Sequence, residues 1–200
     1  MHTSFPVRRL TLALGFIACM LGLSACATPP PPQFPELTYT HLPTITLGVA
    51  KIEIVSMSKK SDAALHIEIS MPVTPEQAVR NWAHDRLRAS GVSGVAKVII
   101  ENAYVTETEL ARSKGLKGVF TTEQSQRYDA DLKVSIRLEG VPRVSEAFAQ
   151  AEIKRSQTVP EDVSVNVREQ VLFDLTENVM KDFNPAMAAS IRKHLADFIR

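Results

Sequence analysis

Between Tyr128 and Glu139 apolar and polar residues alternate without a break. Tyr128, Ala130, Leu132, Val134, Ile136 and Leu138 fall on one parity; Asp129, Asp131, Lys133, Ser135, Arg137 and Glu139 fall on the other. A helix would scatter both sets around its axis, whereas an extended strand sends them to opposite faces. The segment is therefore predicted to be a strand with one face against a core and one face wet, the habit of an antiparallel sheet. Gly140 to Pro142 supplies a turn, after which Ala147, Ala149, Ala151 and Ile153 resume the alternation, with Phe148 on the polar parity. The two runs predict a hairpin. The row of alanines leaves room for a helix to come close to the sheet.

The remaining elements are arranged around that hairpin. Thr44 to Val55 is rich in β-branched residues, but its apolar parity shifts near Gly48 to Ala50, as at a bulge or in a strand covered on both sides. His66 to Ile69 reads as a short edge strand or an ordered loop. Thr74, Pro75 and Gln77 form a helix start with a capping box, Val79, Trp82, Ala83 and Leu87 share one helical face, and Gly91 is placed for a left-handed C-cap. Val95 to Val105 reads as a strand. Pro160-Glu161-Asp162 opens a last helical region carrying Val171, Leu172, Leu175 and Val179. Asn184-Pro185 punctuates it before a second stripe of Met187, Ile191, Leu195, Phe198 and Ile199. The expected fold is α+β: a mostly antiparallel four-stranded sheet packed under two helices in β-α-β-β-β-α order, with an extra C-terminal helix.

The N-terminus is of another kind. Arg8 and Arg9 precede a mostly apolar run of 14 positions, Leu10 to Leu23. That length suits a secretory h-region and falls short of the ~20 residues a membrane span needs. The run ends in Leu23-Ser24-Ala25-Cys26, which resembles the lipobox of bacterial lipoproteins. The resemblance implies that Cys26 receives a diacylglyceryl group on sulfur, that the leader 1–25 is cut away, and that the new amino group is acylated. With Ala27 rather than Asp at the second mature position, it implies the outer membrane, periplasm-facing, rather than the inner. A plain signal peptide with an incidental cysteine is the alternative. Pro29 to Pro32, Pro35 and Pro43 then predict an extended tether over 26–43, ahead of a single domain over 44–200.

Chemistry is sparse. With Lys and Arg numbering 23 and Asp and Glu 22, the charge is too balanced for a dedicated nucleic-acid binder. Two cysteines, one in the leader and one at the lipobox, leave no disulfide framework. The mature histidines His41, His66, His84 and His194 lack zinc-ligand spacing, and neither a nucleophile elbow nor a phosphate-binding glycine loop is present. Asp129 and Asp131 lie side by side on the polar face of their strand, which reads as a solvated face before it reads as an acid pair. Trp82 reads as core. The stripe from Met187 to Ile199, flanked by Arg192, Lys193 and Arg200, packs on the domain or on a partner, or lies on a membrane. Leu116, Val119 and Phe120, in a glycine-containing connection, form the candidate partner-binding loop, with tucked-in packing as the alternative.

The order of elements, together with Gln77 to Asn81, Leu87 to Val92, Arg127 to Leu132 and Ala151 to Ser156, resembles the outer-membrane lipoproteins of lipopolysaccharide assembly. The resemblance implies a barrel-plugging, lipopolysaccharide-binding role. The proline spacer and the tail after Asn184 depart from that family. The chain also resembles auxiliary lipoproteins of lipid-transporting ABC systems and, in texture, uncharacterised proteobacterial lipoproteins. The expected function is a non-enzymatic, membrane-anchored accessory or scaffold in envelope assembly or lipid transport, acting on a protein partner. It carries no cofactor or metal beyond the acyl chains on Cys26. The alternative is a carrier holding a lipid or small molecule between sheet and helices.

Overall fold

The computed structural model describes residues 33–58, 65–111, 124–142, 147–161 and 163–200. In chain order the elements are β1 (Ile45–Leu47), β2 (Lys51–Ser56), β3 (Leu65–His66), α1 (Pro75–Arg86), β4 (Leu87–Ala89), β5 (Val95–Glu109), β6 (Gln124–Glu139), β7 (Ala147–Pro160) and α2 (Val165–His194). The main sheet runs β2-β5-β6-β7, with β3 pairing the far end of β5. β2 and β5 are parallel and joined through α1; β5, β6 and β7 are antiparallel. This is the α+β arrangement the sequence predicts, with the predicted hairpin formed by β6 and β7. Among the described residues helices cover one face, so Leu132, Val134 and Ile136 are fully buried, while the opposite parity, apart from the buried Ser135, is half-buried or exposed.

β5 runs on to Glu109 and carries a register shift between Ile100 and Asn102. The extra residue, Glu101, turns the apolar parity from Ala96, Val98 and Ile100 to Ala103 and Val105, so that all five still face the core. The parity shift near Gly48 has a different outcome. Thr44 to Val55 divides into β1 and β2, which join different sheets. β1 pairs in parallel with β4, and Leu47 bridges to Ile199 on its other side.

That small sheet also changes the end of α1. Thr74 caps the helix as expected, its Oγ1 accepting from the Gln77 N–H at 3.1 Å. The helix stops at Arg86, however, because Leu87 to Ala89 leave it to pair with β1, burying Leu87. Gly91 is consequently no C-cap. It is small because the chain folds back on Gly48: a Cβ there would lie 2.5 Å from the Gly48 carbonyl atoms.

α2 corrects a second boundary. The residues beyond Asn184 are helical, as expected, but they continue the same 30-residue helix through Pro185. Pro185 removes one backbone hydrogen bond and costs about 3 kcal/mol. Its ring is exposed. Leu172, Leu175, Val179, Phe183, Met187 and Ile191 keep one apolar stripe buried on both sides of it. Several such side chains, each contributing about 1.5–3 kcal/mol on burial, outweigh one proline. Asn184 assists by accepting the Trp82 indole N–H at 2.9 Å, and Trp82 meets Phe183 edge-on.

Residues 33–43, read from sequence as part of the tether, lie on the domain. Phe34 packs on Phe173, with ring centroids 5.2 Å apart. Asn81 donates to Glu36 and to the Leu37 carbonyl, Asp85 accepts the Tyr39 N–H at 2.7 Å, and the Arg86 guanidinium donates to the Pro43 carbonyl. The segment thus follows α1 from its middle to its C-terminal end, and Tyr39 is buried. Packing begins at Phe34 rather than Thr44.

Candidate functional site

The lipobox residues Leu23, Ser24, Ala25 and Cys26, and the loop residues Leu116, Val119 and Phe120, lie outside the described residues. The surfaces that remain are the uncovered sheet face, the outer edge of β5, and the end of the molecule where both helices terminate.

On the sheet face the strand register brings acids and bases together. Asp129 accepts from Arg127 at 2.9 Å and from the Ser156 hydroxyl at 2.6 Å. Asp131 accepts from Asn102 at 3.2 Å and lies 3.2 Å from Lys154. The two aspartates therefore have separate cross-strand partners and share no site. Glu101, presented by the bulge, meets Lys133 at 2.9 Å and accepts from Ser135 at 2.7 Å. The Lys133 hydrogen bond is the largest of the effects that hold the Glu101 carboxyl below its ordinary range, with Ser135 adding to it. Lys97 closes on Glu139 at 2.6 Å. An open groove of about 400 Å³ lies at one end of this face, with Ser135, Arg137, Phe148 and Gln150 among its lining residues. Phe148 is 52% exposed there.

At the β5 edge, side chains take over where β2 stops. Ser58 accepts the Ala103 N–H at 3.1 Å and Glu68 accepts the Val105 N–H at 2.7 Å. His66 sits 3.3 Å from the same Glu68 oxygen and edge-on to Tyr104. This histidine supports a sheet edge. Among the described residues no group of three or more His, Cys, Asp or Glu gathers as metal ligands.

At the helix C-terminal end the picture is basic. Arg88 of β4 pairs with Thr46 of β1, and the Arg200 N–H donates to the Thr46 carbonyl at 3.0 Å from the other side. Arg88 and Arg200 thus share one face of the small sheet. Arg192 and Lys193 are exposed in the last turn of α2. The Met187 to Ile199 stripe packs inward through Met187, Ile191 and Leu195, each fully buried, so its apolar side is not free for a membrane. The cations around it are left outside.

The packed segment over 33–43 was missed by sequence reasoning, although a signal was present. Phe34, Leu37, Tyr39 and Leu42 are spaced among the prolines, and a purely solvated tether has no use for them. Burial, with Asp85 and Glu177 adding to it, pushes the Tyr39 phenol well above its ordinary range.

No family model matches the chain, and no curated protein matches it. Among solved structures, rare lipoprotein B from Shewanella oneidensis is similar at a TM-score of 0.31 and 9% identity, over 68% of this chain and 94% of that one. No helix of the described residues is long and apolar enough to cross a membrane.

Proposed function

We propose that the protein is a lipoprotein of the bacterial envelope, anchored by acyl chains on Cys26 in the outer membrane and facing the periplasm. It works without catalysis, as an accessory that binds an envelope protein during assembly or lipid transport. The observation that carries this reading is Leu23-Ser24-Ala25-Cys26, at the end of a 14-position apolar run that follows Arg8 and Arg9. Its support in the fold is that the layer between helices and sheet is filled. Trp82, Ile100, Leu132, Ile136, Phe183 and Met187 are all fully buried there, which leaves recognition to the outside of the domain. On the uncovered sheet face, Phe148 beside Arg137 and Gln150 has the apolar-centred, polar-rimmed character of a contact surface.

The test is photo-crosslinking in intact cells, with the reactive side chain placed in turn at Phe148 and at Phe120. A discrete envelope protein captured at either position, and lost on swapping Phe148 or Phe120 for Asp at unchanged melting temperature, is the expected result. Recovery of a stoichiometric lipid by native mass spectrometry, with no protein adduct, would move the assignment to the carrier.

A further inference from the structure

Most ion pairs among the described residues lie along or between strands of the main sheet, and one region stands apart from that pattern. Arg86, Arg88, Arg192, Lys193 and Arg200 gather where α1, α2 and the small sheet end. Among the described residues none of them is in an ion pair. Arg88 spends its guanidinium on the carbonyls of His84 and Leu87, at 2.5 and 2.8 Å. Arg86 gives one nitrogen to the Pro43 carbonyl, while its Nε is buried without a partner. Burial first, and then the like charge of Arg192, pull Arg86 below the usual guanidinium range, so the two cations are close enough to repel. Asp197, exposed in the 3-10 turn after α2, is the nearest acid in sequence to Arg192 and Arg200 and pairs with neither.

The helix dipole accounts for Arg192 and Lys193, which lie in the last turn of α2. It does not account for Arg88 and Arg200, which stand on a sheet. Beside that sheet Gly91 abuts Gly48, and the next residue, Val92, is 100% exposed. A bare aliphatic tip beside a field of arginines suits the boundary between lipid headgroups and acyl chains. It suits an acidic protein surface less well, since that would leave the valine in water.

The anchor supplies proximity. The domain's packing starts at Phe34, so only Ala27 to Gln33 separate it from Cys26. Those few residues can reach about 22 Å, whereas Phe34 packs on Phe173 and about 29 Å of α2 separates Phe173 from Arg192, so Cys26 and the basic end meet one leaflet when α2 lies along it. A patch held this near a bilayer meets headgroups at high effective concentration, and weak electrostatic attraction suffices. We propose that the basic end formed by Arg88, Arg192, Lys193 and Arg200, with Val92 at its tip, rests on anionic phospholipid headgroups of the membrane that holds Cys26. The proposal builds on the lipid-anchor reading and adds a second contact, which fixes how the domain lies on the leaflet.

The two layers can be separated in one experiment. Mature lipoprotein carrying Val92→Cys is labelled with a fluorophore and reconstituted into vesicles of phosphatidylcholine, alone or with phosphatidylglycerol, each with a headgroup-level nitroxide quencher. Acylated Cys26 offers no competing thiol. Flotation with the vesicles reports the anchor; quenching reports the patch. Several-fold stronger quenching in the phosphatidylglycerol vesicles is expected. It should be lost at about 1 M salt, where the screening length falls to ~3 Å, and lost in the Arg88→Glu, Arg192→Glu, Lys193→Glu, Arg200→Glu protein. Salt needs no mutation, so a misfolded variant does not decide the matter. Equal quenching in both vesicle types, in protein that floats, overturns the proposal and leaves the anchor intact; protein that fails to float overturns the anchor reading itself. Charge reversal that leaves quenching unchanged in floating protein overturns the lipid contact as well.

Discussion

The open sheet face and the helix C-terminal end use the same charged residue types to opposite effect. On the sheet Arg127, Lys133 and Lys154 each meet a carboxylate across or along the strands. Their charges reinforce the register that the apolar face already sets. At the end, Arg88, Arg192 and Arg200 have no such partner among the described residues and contribute nothing to register. The difference teaches where to look for recognition on a domain without a catalytic constellation. Charge that the fold neutralises internally belongs to stability, and charge left uncompensated is available to something outside.

The largest expected effect comes from removing what both regions rest on. Trp82→Ala deletes the side chain joining α1 to α2 through Phe183 and Asn184. It should cost about 3–5 kcal/mol in urea unfolding. A loss under about 1 kcal/mol would mean that the two helices do not depend on this contact. Gly91→Ala comes next, at about 1–3 kcal/mol, because its Cβ would meet Gly48 backbone at 2.5 Å. Hydrogen exchange should show the loss in β1 and β4 while β5 and β6 amides stay protected. Uniform deprotection would erase the distinction between the two sheets.

Glu101→Gln sharpens the comparison from the sheet side, at about 1 kcal/mol. The folded carboxyl is held below its ordinary value of 4.5, so its stabilising contribution is present above that value and fades as the pH falls through the folded pKa. The wild-type melting temperature should therefore drop more steeply below about pH 4.5 than that of Glu101→Gln, and parallel acid profiles would contradict the ion-pair account. The smallest effect belongs to the other region. Arg192→Glu should stay within about 0.5 kcal/mol of wild type, the relief of repulsion on Arg86 offsetting the lost interaction with the C-terminal dipole of α2. A cost equal to that of Lys133→Glu would show that the basic end is as structural as the sheet.

How much of this was legible depended on how local each signal was. The β6 alternation and the Thr74 cap are properties of a few neighbouring residues, and the fold keeps both. Leu87 to Ala89 carry no helix-breaking residue; they leave the helix because β1, some forty positions earlier, offers a pairing edge. Pro185 carries a genuine stop signal, which the buried stripe on both sides overrules. Phe34 and Tyr39 looked like tether because prolines dominate the composition around them, while their burial depends on Phe173 and Asp85. Of the surfaces, single cations could be read from sequence, but their lack of partners could not, since pairing is settled only when strands and helices meet. Cys26 stood out in the leader pattern, where the information is entirely sequential.

The central claim is that acyl chains on Cys26 hold this domain at a bilayer. Metabolic labelling with a clickable fatty-acid analogue tests it most directly, comparing wild type with Cys26→Ala. The account predicts a labelled wild-type protein in the membrane fraction and no label on the variant. An unlabelled wild-type protein, or equal labelling of both, would contradict it.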